Sequence, residues 1–151
     1  MEIKDIISIV TVMIGGLSLF FTIREYIRRG NKERADFFLL LRDRFKKNEK
    51  FMKIQSLVEN DNNAELETIP TQDLNDIIGF FEEIYLFSNS DFMSKDVLFY
   101  MMGQYATDCY NNPTIKKKLE LDKEFYWKQF IAFCHEYEGW KKSNPAFEFK
   151  V

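Results

Sequence analysis

The alternation of apolar and polar positions falls into two regimes. Residues 6–23 read IISIVTVMIGGLSLFFTI, a run without a charge, bounded by Asp5 and Arg24. At about 1.5 Å per helical residue the run covers about 27 Å, close to the ~30 Å hydrocarbon core of a bilayer. The pattern predicts a transmembrane helix over 6–23. A cleaved secretory signal fits less well. The start carries Glu2, Lys4 and Asp5, no Ala-x-Ala site precedes the basic flank, and helical spacing continues through Arg24, Glu25 and Tyr26. The rival reading of this segment is a buried helix of a soluble core.

Beyond residue 23 the apolar positions recur at helical spacing. The first helix continues to about Phe45, with a candidate hinge at Gly30 and Asn31, since glycine is costly inside a helix. Ala35, Phe38, Leu39, Leu41 and Phe45 make its apolar side. Asn48 is placed to cap a helix through Val58, with Phe51, Ile54, Leu57 and Val58 facing inward. Residues 59–63 read as a loop, and the stretch to Pro70 as mobile. Thr71 is expected to cap the next helix, with Asp73 and Asp76 near its positive end. Leu74, Ile77, Phe81, Ile84 and Tyr85 form its core stripe. A turn follows at 89–91. Ser94 begins a helix to about Cys109, closed by Asn111, Asn112 and Pro113. A short helix at 114–119 and a long one at 123–141 complete the set, with irregular packing expected for 144–151. No strand-like alternation and no Asn-Gly hairpin turn occurs, so the fold class is all-α.

Composition agrees. A chain of 151 residues with 46% hydrophobic and 17% aromatic content buries too much apolar surface to be disordered. Charge changes the picture more. Residues 24–53 hold eleven Lys or Arg against five acids, and 54–113 hold one Lys against eleven acids. Residues 114–151 return to eight bases against six acids. This bipolar balance is unlike that of a general nucleic-acid binder. Arg24, Arg28, Arg29, Lys32 and Arg34 follow the apolar run, and only Lys4 precedes it. Basic flanks stay cytoplasmic. The expected organisation is therefore an outside N-terminus at 1–5, the span at 6–23, basic juxtamembrane helices at 24–58 and a helical cytosolic sensor domain at 71–151. Cys109 and Cys134 are then free thiols in a reducing compartment.

Within the span, Ser8, Thr11, Gly15, Ser18 and Thr22 recur at intervals of three and four, and Glu25 extends the line. These positions share one helix face. Small residues allow close packing of helices in lipid. The same polar face in a ring of helices lines a wet path. Both readings require self-association, with a tetramer favoured. Arg24, Arg28 and Arg29 are placed to meet lipid phosphates.

Catalytic chemistry is poorly represented. His135 is the single histidine, and Cys109, Cys134 and His135 have no zinc-motif spacing. No phosphate-binding or dinucleotide motif occurs, because Gly15 and Gly16 lie inside the apolar run. Glu82 with Glu83, and Glu136 with Glu138, read as solvated helix faces. The expectation is a non-enzyme without cofactor or metal. Two lysine groups are candidates for single-stranded nucleic acid: Lys46, Lys47, Lys50 and Lys53, then Lys116, Lys117, Lys118 and Lys123. Lys128, Tyr126 and Trp127 lie near the second group, and basic grooves with aromatic faces hold such strands. Ordinary solvated lysines and core aromatics are the competing explanation.

The sequences Ala35-Asp-Phe-Phe-Leu-Leu-Leu-Arg-Asp-Arg-Phe45, Phe80-Phe-Glu-Glu-Ile-Tyr85 and Phe125-Tyr-Trp-Lys-Gln-Phe130 follow one N-terminal span and a basic helix. In this order of features the chain resembles a family of bacterial single-span proteins, some encoded in anti-phage defence operons, and is most similar to the membrane effectors of Hailong defence systems. The resemblance covers nearly the whole chain, through packing residues. It implies an oligomeric, toxic, ion-conducting membrane pore, held silent by a DNA oligomer that a partner nucleotidyltransferase makes. It assigns no DNA-binding residue; the lysines rest on the sequence reading alone. The rival expectation is a membrane-anchored helical module that recruits another protein.

Overall fold

A computed structural model describes the backbone of residues 3–89, 93–123 and 125–145, with side chains from residue 17 onward. It is all-helical, 83% helix, and no strand occurs among the described residues. The helices are α1 (Ile3–Lys47), α2 (Glu49–Glu59), α3 (Asn63–Leu66), α4 (Thr71–Ser88), α5 (Lys95–Leu98), α6 (Gln104–Asn111), α7 (Pro113–Leu119) and α8 (Lys128–Ser143). A π-helical turn, Phe99–Gly103, joins α5 to α6. The turn expected at 89–91 and the tail from 146 lie largely or wholly outside the described residues.

The chain divides into two compact units, Met1–Leu41 and Arg42–Val151. In the first, α1 passes through Gly30 and Asn31 without a break, so the expected hinge is absent. A single glycine costs about 1 kcal/mol in a helix, too little to stop one already propagating on both sides. Among the described residues no helix is long and apolar enough to cross a membrane. The side chains of 6–16, most of the expected span, lie outside the described residues.

The second unit is organised by α4. Leu74, Ile77, Ile78, Phe80, Phe81 and Ile84 are fully or almost fully buried. They occupy successive turns of one broad face, as an amphipathic helix requires. Phe45 is the hub of an aromatic cluster, with ring centroids 5.6 Å from Phe80, 5.9 Å from Phe81 and 5.1 Å from Tyr105. A second cluster joins Phe99 to Phe133, Tyr137 and Trp140. Such pairs add modest directional energy to large area burial.

Local chemistry sets the helix starts. Asn48 Oδ1 accepts from the backbone N–H of Lys50 and Phe51, as expected. Asn112 does the same for Thr114 and Ile115, with Pro113 opening α7. Thr71 and Ser94 make no capping bond. Thr71 is already inside α4, because Pro70 takes the cap position. Residues 59–70 are not mobile coil: α3 forms there, Leu66 is fully buried and Ile69 nearly so. The helix expected from 123 begins at Lys128 instead. Trp127 Nε1 donates to Leu119 O at 3.1 Å, which fixes a turn before the helix. Glu82 reaches from α4 to accept from Phe130 N–H at 3.3 Å. A carboxylate from a neighbouring helix thus serves the positive end of α8.

Candidate functional site

The described part of the seam is Ser18, Thr22 and Glu25, and α1 places them on one face. Together with Phe21, Tyr26 and Arg29 they line a shallow groove along that helix. Ser8, Thr11 and Gly15 lie where side chains are outside the described residues. Thr22 Oγ1 donates to Ser18 O at 2.8 Å, so this hydroxyl is satisfied within its own helix. Glu25 accepts from Arg28 Nε at 2.9 Å and from Arg29 Nε at 3.1 Å. The hydrogen bonds from Arg28 and then Arg29 hold its carboxyl well below the usual range, at about 2. Glu25 is therefore an ionised, neutralised member of a three-residue cluster. Arg24, Arg28 and Arg29 are all exposed.

Beside this polar face α1 carries exposed apolar side chains. Leu17, Leu19, Phe20, Phe21, Ile23 and Ile27 are each 51–62% exposed. Large apolar side chains exposed together in this way are normally covered by protein or by lipid.

The first lysine group is drawn into contacts within the molecule. Lys46 Nζ donates to the Tyr105 hydroxyl at 2.8 Å and lies 4.6 Å from its ring centroid. Lys47 pairs with Asp43 at 2.5 Å, Lys50 with Asp73 at 2.6 Å and Lys53 with Glu65 at 2.9 Å. The hydrogen bond to Asp73 raises the Lys50 pKa. The second group is divided. Lys116 sits 4.7 Å from the Tyr110 ring centroid, Lys117 is exposed and Lys123 pairs with Glu120 at 2.5 Å. Lys118 turns inward, donating to Glu67 O at 2.8 Å and Ile69 O at 2.6 Å. It ties α7 to the segment before α4. No sequence signal separates it from its two lysine neighbours, because which side of α7 meets that segment is a tertiary matter.

The acidic pairs also have partners that their sequence positions do not reveal. Glu82 serves α8, and Glu83 forms a two-point pair with Arg44. Glu136 accepts from Lys95 at 2.9 Å and from Tyr85 at 2.7 Å. Burial pushes Glu136 up, but these two bonds outweigh it and its pKa lies below the ordinary value. Cys109 and Cys134 are free and buried, and burial pushes both thiols far up, which makes them poor nucleophiles. His135 is exposed, with Nε2 3.4 Å from the Tyr110 hydroxyl. Asp108 is pushed up by burial, against a hydrogen bond from Gln104. Comparison with protein-family models, curated proteins and solved structures found no match to this chain.

Proposed function

We propose that the chain is a gated, toxic membrane effector of an abortive-infection type of anti-phage defence. In this reading α1 anchors it in the bacterial plasma membrane, with the N-terminus outside and the second unit cytosolic. Its spans associate into a homo-oligomer, a tetramer or larger, whose axis is lined by the seam. The cytosolic unit responds to a ligand, a single-stranded DNA oligomer made by a partner nucleotidyltransferase. The observation that carries this reading is the exposure of Leu17, Leu19, Phe20, Phe21 and Ile23 on α1, in the second half of the uncharged run at 6–23. Water is a poor solvent for such a helix, and hydrocarbon or neighbouring copies relieve the exposure.

A second reading, a membrane-tethered module that recruits another protein and conducts nothing, draws support from the lysine contacts. The paired lysines do not by themselves exclude phosphate binding. An exposed ion pair contributes about 0–1 kcal/mol and exchanges readily for another anion. Lys118, with two carbonyl partners, is committed to structure.

The discriminating experiment is conductance in planar bilayers. Thr11→Leu with Ser18→Leu should still integrate and still self-associate, yet lose conductance and toxicity, because apolar constrictions dewet. Val12→Leu with Leu19→Ile, off the seam, should behave as wild type. Wild-type protein that integrates into membranes but never conducts would move the recruitment module ahead.

A further inference from the structure

We propose that a cavity within the second unit binds a free nucleoside monophosphate whose base carries an exocyclic amine. The cavity, of about 390 Å³, is lined from the end of α1, the end of α2, the π-helical turn and α6. Pockets for small molecules commonly hold ~300–1,000 Å³. Every lining residue belongs to the unit Arg42–Val151. Arg42 and Lys46, one helical turn apart, share the cavity with Glu59 and Asp108. Among the described residues none of these four is in an ion pair, although their neighbours Arg44, Lys47, Lys50 and Lys53 all are. Lys46 Nζ is held by the Tyr105 hydroxyl at 2.8 Å. The two carboxylates are oriented by amides: Gln55 Nε2 donates to Glu59 at 3.3 Å, and Gln104 Nε2 to Asp108 at 2.6 Å. Lys141 donates to Gln104 Oε1 at 2.8 Å rather than to Asp108. Burial and the charge of Glu59 both push the Asp108 pKa up, as befits a carboxylate without a counter-ion.

Two cations and two carboxylates held apart in one cavity match a ligand with an anion at one end and hydrogen-bond donors at the other. A plain anion makes no use of the carboxylates, and a plain cation none of Arg42 and Lys46. Arginine and lysine bind phosphate oxygens through charge-assisted bonds. Carboxylates accept from the exocyclic amine of a base such as cytosine. The wall supplied by the π-helical turn suits the flat body between. That turn sends Phe99 and Met102 into the core and leaves Tyr100 57% exposed, with Met101 half-buried beside it. Such turns recur at functional sites, and an exposed aromatic ring offers a base a stacking face. The site lies within one unit, so it rests neither on the membrane anchor nor on the strand ligand proposed above.

Calorimetric titration of the full-length chain uses two matched pairs, CMP with UMP and GMP with IMP, which differ chiefly in the amine. In at least one pair the amine-bearing member should bind about tenfold tighter. Its nucleoside, without the phosphate, should bind about tenfold more weakly again. Asp108→Asn with Glu59→Gln should erase the preference within that pair while the member lacking the amine keeps its affinity, which also shows that the variant is folded. Arg42→Gln should weaken both members by the same factor and leave the preference intact. Lys53→Gln, which loses a pair with Glu65 outside the cavity, should change neither. Failure of all four nucleotides to bind at millimolar concentration overturns the proposal. So does equal binding within both pairs, or a preference that survives the loss of both carboxylates. Inorganic phosphate that binds as tightly as the nucleotides makes this an anion site and overturns the nucleotide.

Discussion

Gly103 is the position where one added methyl group should be felt most sharply. It closes the π-helical turn, and a Cβ built there would come within 2.6 Å of three ring carbons of Tyr137. That ring has little room to retreat. It lies 6.1 Å from Phe99 and 6.0 Å from Trp140, centroid to centroid, and its hydroxyl donates to Gln104 at 3.2 Å. Overpacking a well-filled site costs about 1–3 kcal/mol, and so short an approach to a ring points to the upper end. Replacing glycine by alanine in a helix returns about 1 kcal/mol. Gly103→Ala should therefore destabilise the second unit by about 2 kcal/mol, lowering the urea midpoint by about 1 M for a slope of about 2 kcal/mol per M. Gly79 and Gly139 have nothing within 4 Å of an added Cβ, so alanine there should stabilise. Both tryptophans, Trp127 and Trp140, belong to the second unit, so their emission reports its unfolding in the full-length chain. Tyr137→Leu in the Gly103→Ala background should cost less than the two single changes added together. A Gly103→Ala protein as stable as Gly79→Ala would refute the close packing of glycine against ring.

Two further outcomes follow from hydrogen bonds between elements. Lys118→Met should cost about 1–3 kcal/mol, the range for a charge-assisted bond to a part-buried acceptor, whereas Lys117→Met should change stability little; equal urea midpoints would count against the Lys118 clamp. Glu136 has a folded pKa below its unfolded value, so its contribution is present above about pH 5 and fades as pH falls through the folded value. Half-exposed partners keep the effect to about a few tenths of a kcal/mol. Glu136→Gln should remove that part of the acid slope in urea titrations from pH 6 to pH 3, and an unchanged slope would exclude its role.

The helical class was legible because it rests on short-range periodicity. The stripe of Leu74, Ile77, Phe81 and Ile84 is buried as its spacing requires, and Asn48 caps as its chemistry allows. The uncharged run at 6–23 is equally a property of sequence, and its bounding charges need no fold to be seen. Other features depended on what lay opposite. A mobile stretch was the natural reading of Asn-rich 59–70, yet Leu66 enters the core and Lys118 holds the carbonyls of Glu67 and Ile69 from across the fold. The start of α8 moved to Lys128 because Trp127 found Leu119 O and Glu82 found Phe130 N–H, contacts spanning 8 and 48 residues. Adjacent lysines and paired glutamates look alike along the chain. Only the tertiary structure decides which of them meets an acceptor, because a hydrogen bond needs a partner within about 3 Å whatever its distance in sequence.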